Sequence, residues 1–223
     1  MSQTRTLLAA TDFSAPARHA LERAAQLAQM HPGTRLILAH GVSTSALDKL
    51  RRLLPGEAGA LEAELLAQAE NNLVEQAANL ASRFDGHIDT ELVQGSALVA
   101  LADLADARQA DLLVMGARGA HFVREVLLGS TTERLLRRSR RPLLAVKQRP
   151  QAPYRRILAP VDFSAHAAVA VNTAHAWLPD ADIVLLHAFE VELESTFRLA
   201  GVADDKIHEY RIQARDAAMA DMD

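Results

Sequence analysis

At 223 residues, with 49% hydrophobic and 23% charged side chains, the chain has the composition of a globular protein long enough for one large or two small domains. A net charge of -4 lacks the basic footprint of nucleic-acid-binding domains, and the absence of cysteine excludes disulfides, thiolate nucleophiles and cysteine-ligated zinc, as suits a reducing, cytoplasmic setting. Residues 1–30 hold no apolar run of the signal-peptide kind and include Asp12, Arg18 and Glu22, so neither a leader nor a membrane span is expected.

Residues 5–10 (RTLLAA) read as a short apolar strand. It leads into Thr11-Asp12-Phe13-Ser14, where Ser14 suits a helix N-cap and Pro16 the first helical turn. The helix continues to about Met30, with Leu21, Ala24, Ala25 and Ala28 on one face, and His31-Pro32-Gly33 stop it. Residues 35–42 (RLILAHGV) form the second strand, and 45–84 a long helical region broken at Pro55-Gly56. A third strand at 87–94 and a helix over 96–108 precede the fourth strand, 111–115 (DLLVM), a short unbroken apolar run of the kind buried on both faces of a parallel sheet. A further helix leads to the fifth strand, from Pro142 to Lys147 (PLLAVK); Arg137, Arg138, Arg140 and Arg141 between them read as the solvated end of that helix. Strands alternating with helices imply parallel pairing through right-handed crossovers, hence a doubly wound, open α/β sheet.

Residues 148–153 (QRPQAP) have the proline content of a linker, and beyond them the chain repeats itself. LLAATDFS at 7–14 returns as ILAPVDFS at 157–164, and LILAH at 36–40 as IVLLH at 183–187. Tandem domains follow: a complete one over 1–148 and a second, over 154–223, holding only the first two strands and their helices, the last read as one continuous helix from about residue 195.

The stretch 115–131 (MGARGAHFVREVLLGST) organises the first domain. It leaves the carboxyl end of a strand, and Gly116 and Gly119 let backbone N–H groups turn inward toward an anion. At Gly129-Ser130-Thr131 the chain enters a helix whose first N–H groups and positive dipole end favour a phosphate. Ser130-Thr131-Thr132-Glu133 is equally an S-x-x-E capping box, which needs no ligand.

Gly116-Ala117-Arg118-Gly119, then nine residues, then Gly129-Ser130 resembles the universal stress protein family, whose nucleotide-binding members carry GxxG, nine residues, and G followed by Ser or Thr. The resemblance implies a five-stranded parallel sheet of order 3-2-1-4-5, of the adenine nucleotide alpha hydrolase-like kind, here with a partial second copy. It implies ATP, or the related ADP or AMP, lying across strands one and four. Carried onto this chain, Ala10 and Asp12 follow strand one, Gly41 lies on strand two, Met115 and Gly116 close the adenosine end, and Gly119, Gly129, Ser130 and Thr131 hold phosphates. Asp12 would be the carboxylate near the nucleotide, able to accept from the ribose or help hold a magnesium ion; its recurrence as Asp162, where no complete site can form, points equally to a structural part. Arg118, His121 and Arg124 on the loop could meet a phosphate, although loop arginines are more often solvated. The family's usual proline two positions before the aspartate is Ala10 here, although Pro160 keeps it in the repeat. A homodimer through the strand from Pro142 to Lys147 is also implied.

Other constellations are missing: there is no GxxxxGK[ST], GxSxG or HExxH, and no GxGxxG after the first strand. The histidines form no i, i+4 pair, and His40 and His187 at strand ends read as packed core residues. The expected function is a nucleotide-dependent binding and signalling module in stress response. A weak ATP hydrolase or phosphotransferase using the same pocket is the alternative, and an interaction protein without nucleotide a third.

Overall fold

The computed structural model describes residues 5–54, 56–84, 86–117, 130–189, 191 and 194–220, and the chain divides into two units, Met1–Pro153 and Tyr154–Asp223. In the first unit β1 (Thr6–Thr11), α1 (Ala15–Met30), β2 (Arg35–Ser43), α2 (Thr44–Leu53) and α3 (Ala58–Ala81) are followed by β3 (Ile88–Gly95), α4 (Ala97–Ala107), β4 (Leu112–Gly116), α5 (Ser130–Arg138) and β5 (Leu143–Val146). The strands form one parallel sheet of order β3-β2-β1-β4-β5, the order expected.

The central strands are apolar on both sides because helices cover both faces. On one face Leu8, Ala10, Ile37, Ala39, Leu113 and Met115 pack with Leu101, Ala102 and Ala105 of α4 and Leu135 of α5. The alanines let α4 lie close to the sheet. On the other face α1 buries Ala17, Ala20, Leu21, Ala24, Ala25 and Leu27, and α3 buries Leu73, Ala77 and Leu80. Full burial of a leucine stabilises by about 1.5 to 3 kcal/mol, so this double layer carries the fold.

Local signals set the boundaries. The Ser14 hydroxyl accepts the Ala17 N–H at 3.3 Å and Pro16 sits in the first turn, so α1 starts where the sequence indicated. At the open edge of β3, Arg35 Nε donates to Asp89 Oδ2 at 2.6 Å and so ties the strand to β2. That hydrogen bond holds the Asp89 carboxyl below the usual carboxylate range.

The second unit contains β6 (Arg156–Pro160), α6 (Ala165–Trp177), β7 (Asp182–Leu186), α7 (Glu194–Leu199) and α8 (Asp204–Ala220), with β6 and β7 paired in parallel as a two-stranded sheet. The single helix expected from about residue 195 is a pair of helices instead. Gly201 takes φ +71°, its N–H donates to the Arg198 carbonyl, and the Val202 N–H donates to the Phe197 carbonyl at 3.0 Å. This is a Schellman stop, which only a left-handed residue closes cheaply. Asp204 and Asp205 then occupy the first turn of α8, favourable against its dipole. Among the described residues no helix is long and apolar enough to cross a membrane.

Candidate functional site

Strand order reverses between β1 and β4: β1 leads through α1 to β2 on one side, and β4 through α5 to β5 on the other. In an open α/β sheet the crevice outside the carboxyl ends of such a strand pair is where a ligand fits. In register, Ala10 lies opposite Met115 of β4 and Ala39 of β2, and Thr11 lies opposite His40.

The turn after β1 is tightly built. The Ser14 N–H donates to Asp12 Oδ1 at 3.1 Å, and the Phe13 N–H donates to Thr11 Oγ1 at 3.0 Å. Between them Phe13 takes φ +63°, a left-handed conformation that costs a side-chain-bearing residue roughly 1 to 2 kcal/mol. The compensation is visible: its ring packs on His40, with centroids 4.3 Å apart. His40 Nδ1 lies 2.7 Å from the Thr11 carbonyl, which can only accept, so Nδ1 carries a hydrogen and donates it there. His40 was expected in the core; it is half-buried and braces this turn.

The second unit builds the same turn. The Ser164 N–H donates to Asp162 Oδ1 at 3.0 Å, Phe163 takes φ +59° and packs on His187 at 4.4 Å, and His187 Nδ1 lies 2.8 Å from the Val161 carbonyl. Hydrogen bonds from the Ser164 side chain and then its backbone hold the Asp162 carboxyl below its ordinary value. The aspartate of the repeated DFS motif is thus a turn-former in both units, and in the first it is also exposed at the mouth of the crevice.

At β4 the Thr132 hydroxyl, 2% exposed, donates to the Gly116 carbonyl at 3.0 Å. The bond fastens the first turn of α5 to the last residue of β4. N–H groups in a helix's first turn have no intrahelical acceptor, so donors gather beside the crevice. Thr131 is exposed there. Gly119, Gly129, Arg118, His121 and Arg124 lie outside the described residues, and Ser130 is described only as the first residue of α5. Beyond the helix, Arg137, Arg138 and Arg140 are exposed as expected, while Arg141 Nε donates to Asp106 at 2.9 Å.

Three expected site residues have their side-chain space accounted for by packing. Ala10 and Met115, 5% and 8% exposed, point into the layer beneath α4 and α5, so they present only backbone to the crevice. A Cβ on Gly41 would stand 3.0 Å from both Cα and Cβ of Ala97, so the glycine makes room for the start of α4. Ala10, Asp12, Met115 and Gly116 are therefore brought together, with Gly41 one strand away. Among the described residues no group of three or more His, Asp or Glu side chains could enclose a metal ion. Thr132, Thr11 and Phe13 were not singled out from sequence and His40 only as a core residue, although the recurrence of Phe and His in both repeats was a signal for the last two.

Comparison with known proteins bears on the fold and the family. The chain is 31% identical over 96 residues to Universal stress protein MJ0531 of Methanocaldococcus jannaschii, a match covering 43% of this chain and 56% of that protein. To Universal stress protein MJ0577 of the same organism it is 27% identical over 156 residues, covering 65% and 96% respectively. Among solved structures, that of MJ0577 superposes with a TM-score of 0.57 at 24% identity, covering 66% of this chain and 98% of that one. Universal stress protein UspA from Lactobacillus plantarum does so with a TM-score of 0.55 at 25% identity, covering 66% and 100%. Residues 3–147 match the model of the Universal stress protein family, and the chain belongs to that family.

Proposed function

We propose that the first unit binds ATP or a related adenine nucleotide across the carboxyl ends of β1 and β4, and acts as a nucleotide-dependent binding and signalling module in stress response. The observation that carries this reading is the buried bond from Thr132 to Gly116, which sets the start of α5 against the end of β4 where the order of strands reverses. An anion there meets oriented backbone N–H groups and the positive end of a helix dipole. Gly116 begins the GxxG-x9-GS spacing, and Gly119, Gly129, Ser130 and Thr131 are assigned to the phosphates on that spacing.

The donor set fits a nucleotide better than a free cation. Asp12 supplies one carboxylate, already accepting the Ser14 N–H through Oδ1, so a magnesium ion would depend on phosphate oxygens and water for its remaining ligands. Asp12 would orient the ribose or that ion, while Ala10, Gly41 and Met115 shape the adenosine end through backbone. The edge position of β5 supports a homodimer formed by pairing this strand with its counterpart. Titration calorimetry with ATP tests the reading: saturable 1:1 heat on the full chain is expected, and an absence of heat at millimolar ATP would remove it.

A further inference from the structure

We infer that Thr11 is a positioning residue: its hydroxyl ties the Asp12 turn to α3 through Gln76, so that the placement of α3 sets the placement of the nucleotide-facing carboxylate. The inference rests, for its effect on ligand, on the nucleotide reading above.

The Thr11 hydroxyl has one hydrogen and two lone pairs. The hydrogen goes to Gln76 Oε1 at 3.1 Å, and one lone pair takes the Phe13 N–H at 3.0 Å. A single oxygen thus joins α3 to the residue immediately after Asp12. Gln76 lies beside the face of α3 formed by Leu73, Ala77 and Leu80, which are 1%, 7% and 5% exposed, so a shift of that packed face moves Gln76 with it.

The second unit separates making the turn from linking it. There Val161 stands where the first unit has Thr11, with no hydroxyl to offer. The turn nevertheless forms with the same left-handed phenylalanine, the same Asp162 to Ser164 bond and the same histidine brace. The hydroxyl is therefore dispensable for the turn. What valine lacks is the ability to donate to a neighbouring helix, and that is the property Thr11 adds.

The surroundings also argue against simple core filling. Phe13 and Gln76 both line a cavity of about 380 Å³ between α1 and α3, whose walls include Arg18, Glu22 and Asn79. The Gln76 end of the link faces this cavity, while Thr11 itself is buried. Movement of α3, or occupation of this groove, would reach Asp12 through two hydrogen bonds.

The test uses the full chain with Thr11→Val, Thr11→Ser and Gln76→Met. ATP affinity by titration calorimetry should fall about five-fold in Thr11→Val and in Gln76→Met, the effect of one net hydrogen bond. Thr11→Ser should restore it, and the Thr11→Val/Gln76→Met pair should be no worse than either alone. Amide hydrogen exchange gives a readout without nucleotide: Gln76→Met, which touches neither amide, should accelerate exchange at Phe13 and Ser14. Wild-type exchange at those two amides in Gln76→Met would overturn the link whether or not ATP binds, as would additive losses in the pair. If the wild-type chain binds no ATP while Gln76→Met still loosens Phe13 and Ser14, the link stands and the nucleotide reading alone falls.

Discussion

The Thr132 hydroxyl reaches back to the Gly116 carbonyl, 3.0 Å away, and so joins the first turn of α5 to the end of β4. Both partners are buried, so neither can exchange this bond for one to water. Thr132→Val, similar in size, should cost about 1 to 3 kcal/mol because it leaves the Gly116 carbonyl unsatisfied. Urea denaturation checks this: Thr132→Ser should retain most of the wild-type stability, and a Val variant as stable as wild type would show that α5 is held by packing alone.

Gly41 meets Ala97 so closely that a methyl group has no room. Gly41→Ala should destabilise by about 1 to 3 kcal/mol, the usual cost of overpacking, by pushing the start of α4 off the sheet. An unfolding midpoint equal to that of wild type would mean the α4 start yields freely.

The Arg35–Asp89 pair gives a pH dependence. Its hydrogen bond lowers the folded-state carboxyl pKa below the ordinary aspartate value, so its contribution is present above that ordinary value and is lost as pH falls through the lowered one. With Arg35 46% exposed, the contribution is about 1 kcal/mol at most. Asp89→Asn should therefore be less stable than wild type at pH 7 and equal to it once the carboxyl is protonated. Paired melts at neutral and strongly acidic pH measure this, and a difference that persists in acid would refute the assignment.

Assembly through β5 is best probed at Leu144, which is half-buried at the open edge, whereas Val146 is 2% exposed and a charge there would damage the unit itself. Leu144→Lys should shift a dimer toward monomer in sedimentation at micromolar concentration. A wild-type chain that is monomeric under those conditions would leave the edge strand unpaired and the proposal without support.

The sheet was legible because β1, β2 and β4 are short apolar runs separated by helical periodicity, and burial on both faces leaves that trace in sequence. The DFS turn was legible as an N-cap, and its repetition at Asp162 set a structural part for the aspartate beside a ligand-binding one. Thr132 was passed over in favour of Ser130 and Thr131 because spacing picks out the motif, while the burial of Thr132 arises only when α5 docks on β4. Gly41 entered the site through the family resemblance alone, and its close approach to Ala97 arises only when α4 docks on β2, which no local pattern announces. The break at Gly201 is a local signal, a glycine followed by two aspartates, that the apparent continuity of the helical pattern concealed.

The central claim is that the glycine loop brings backbone donors to a phosphate. Gly119→Val with Gly129→Val tests it most directly, measured by ATP titration alongside circular dichroism. Charged hydrogen bonds are worth roughly 1.5 to 3 kcal/mol each, and a micromolar complex about -8 kcal/mol, so losing two or three should abolish measurable binding. The account predicts a folded double variant that no longer takes up ATP. A folded double variant that binds ATP as tightly as wild type would contradict it.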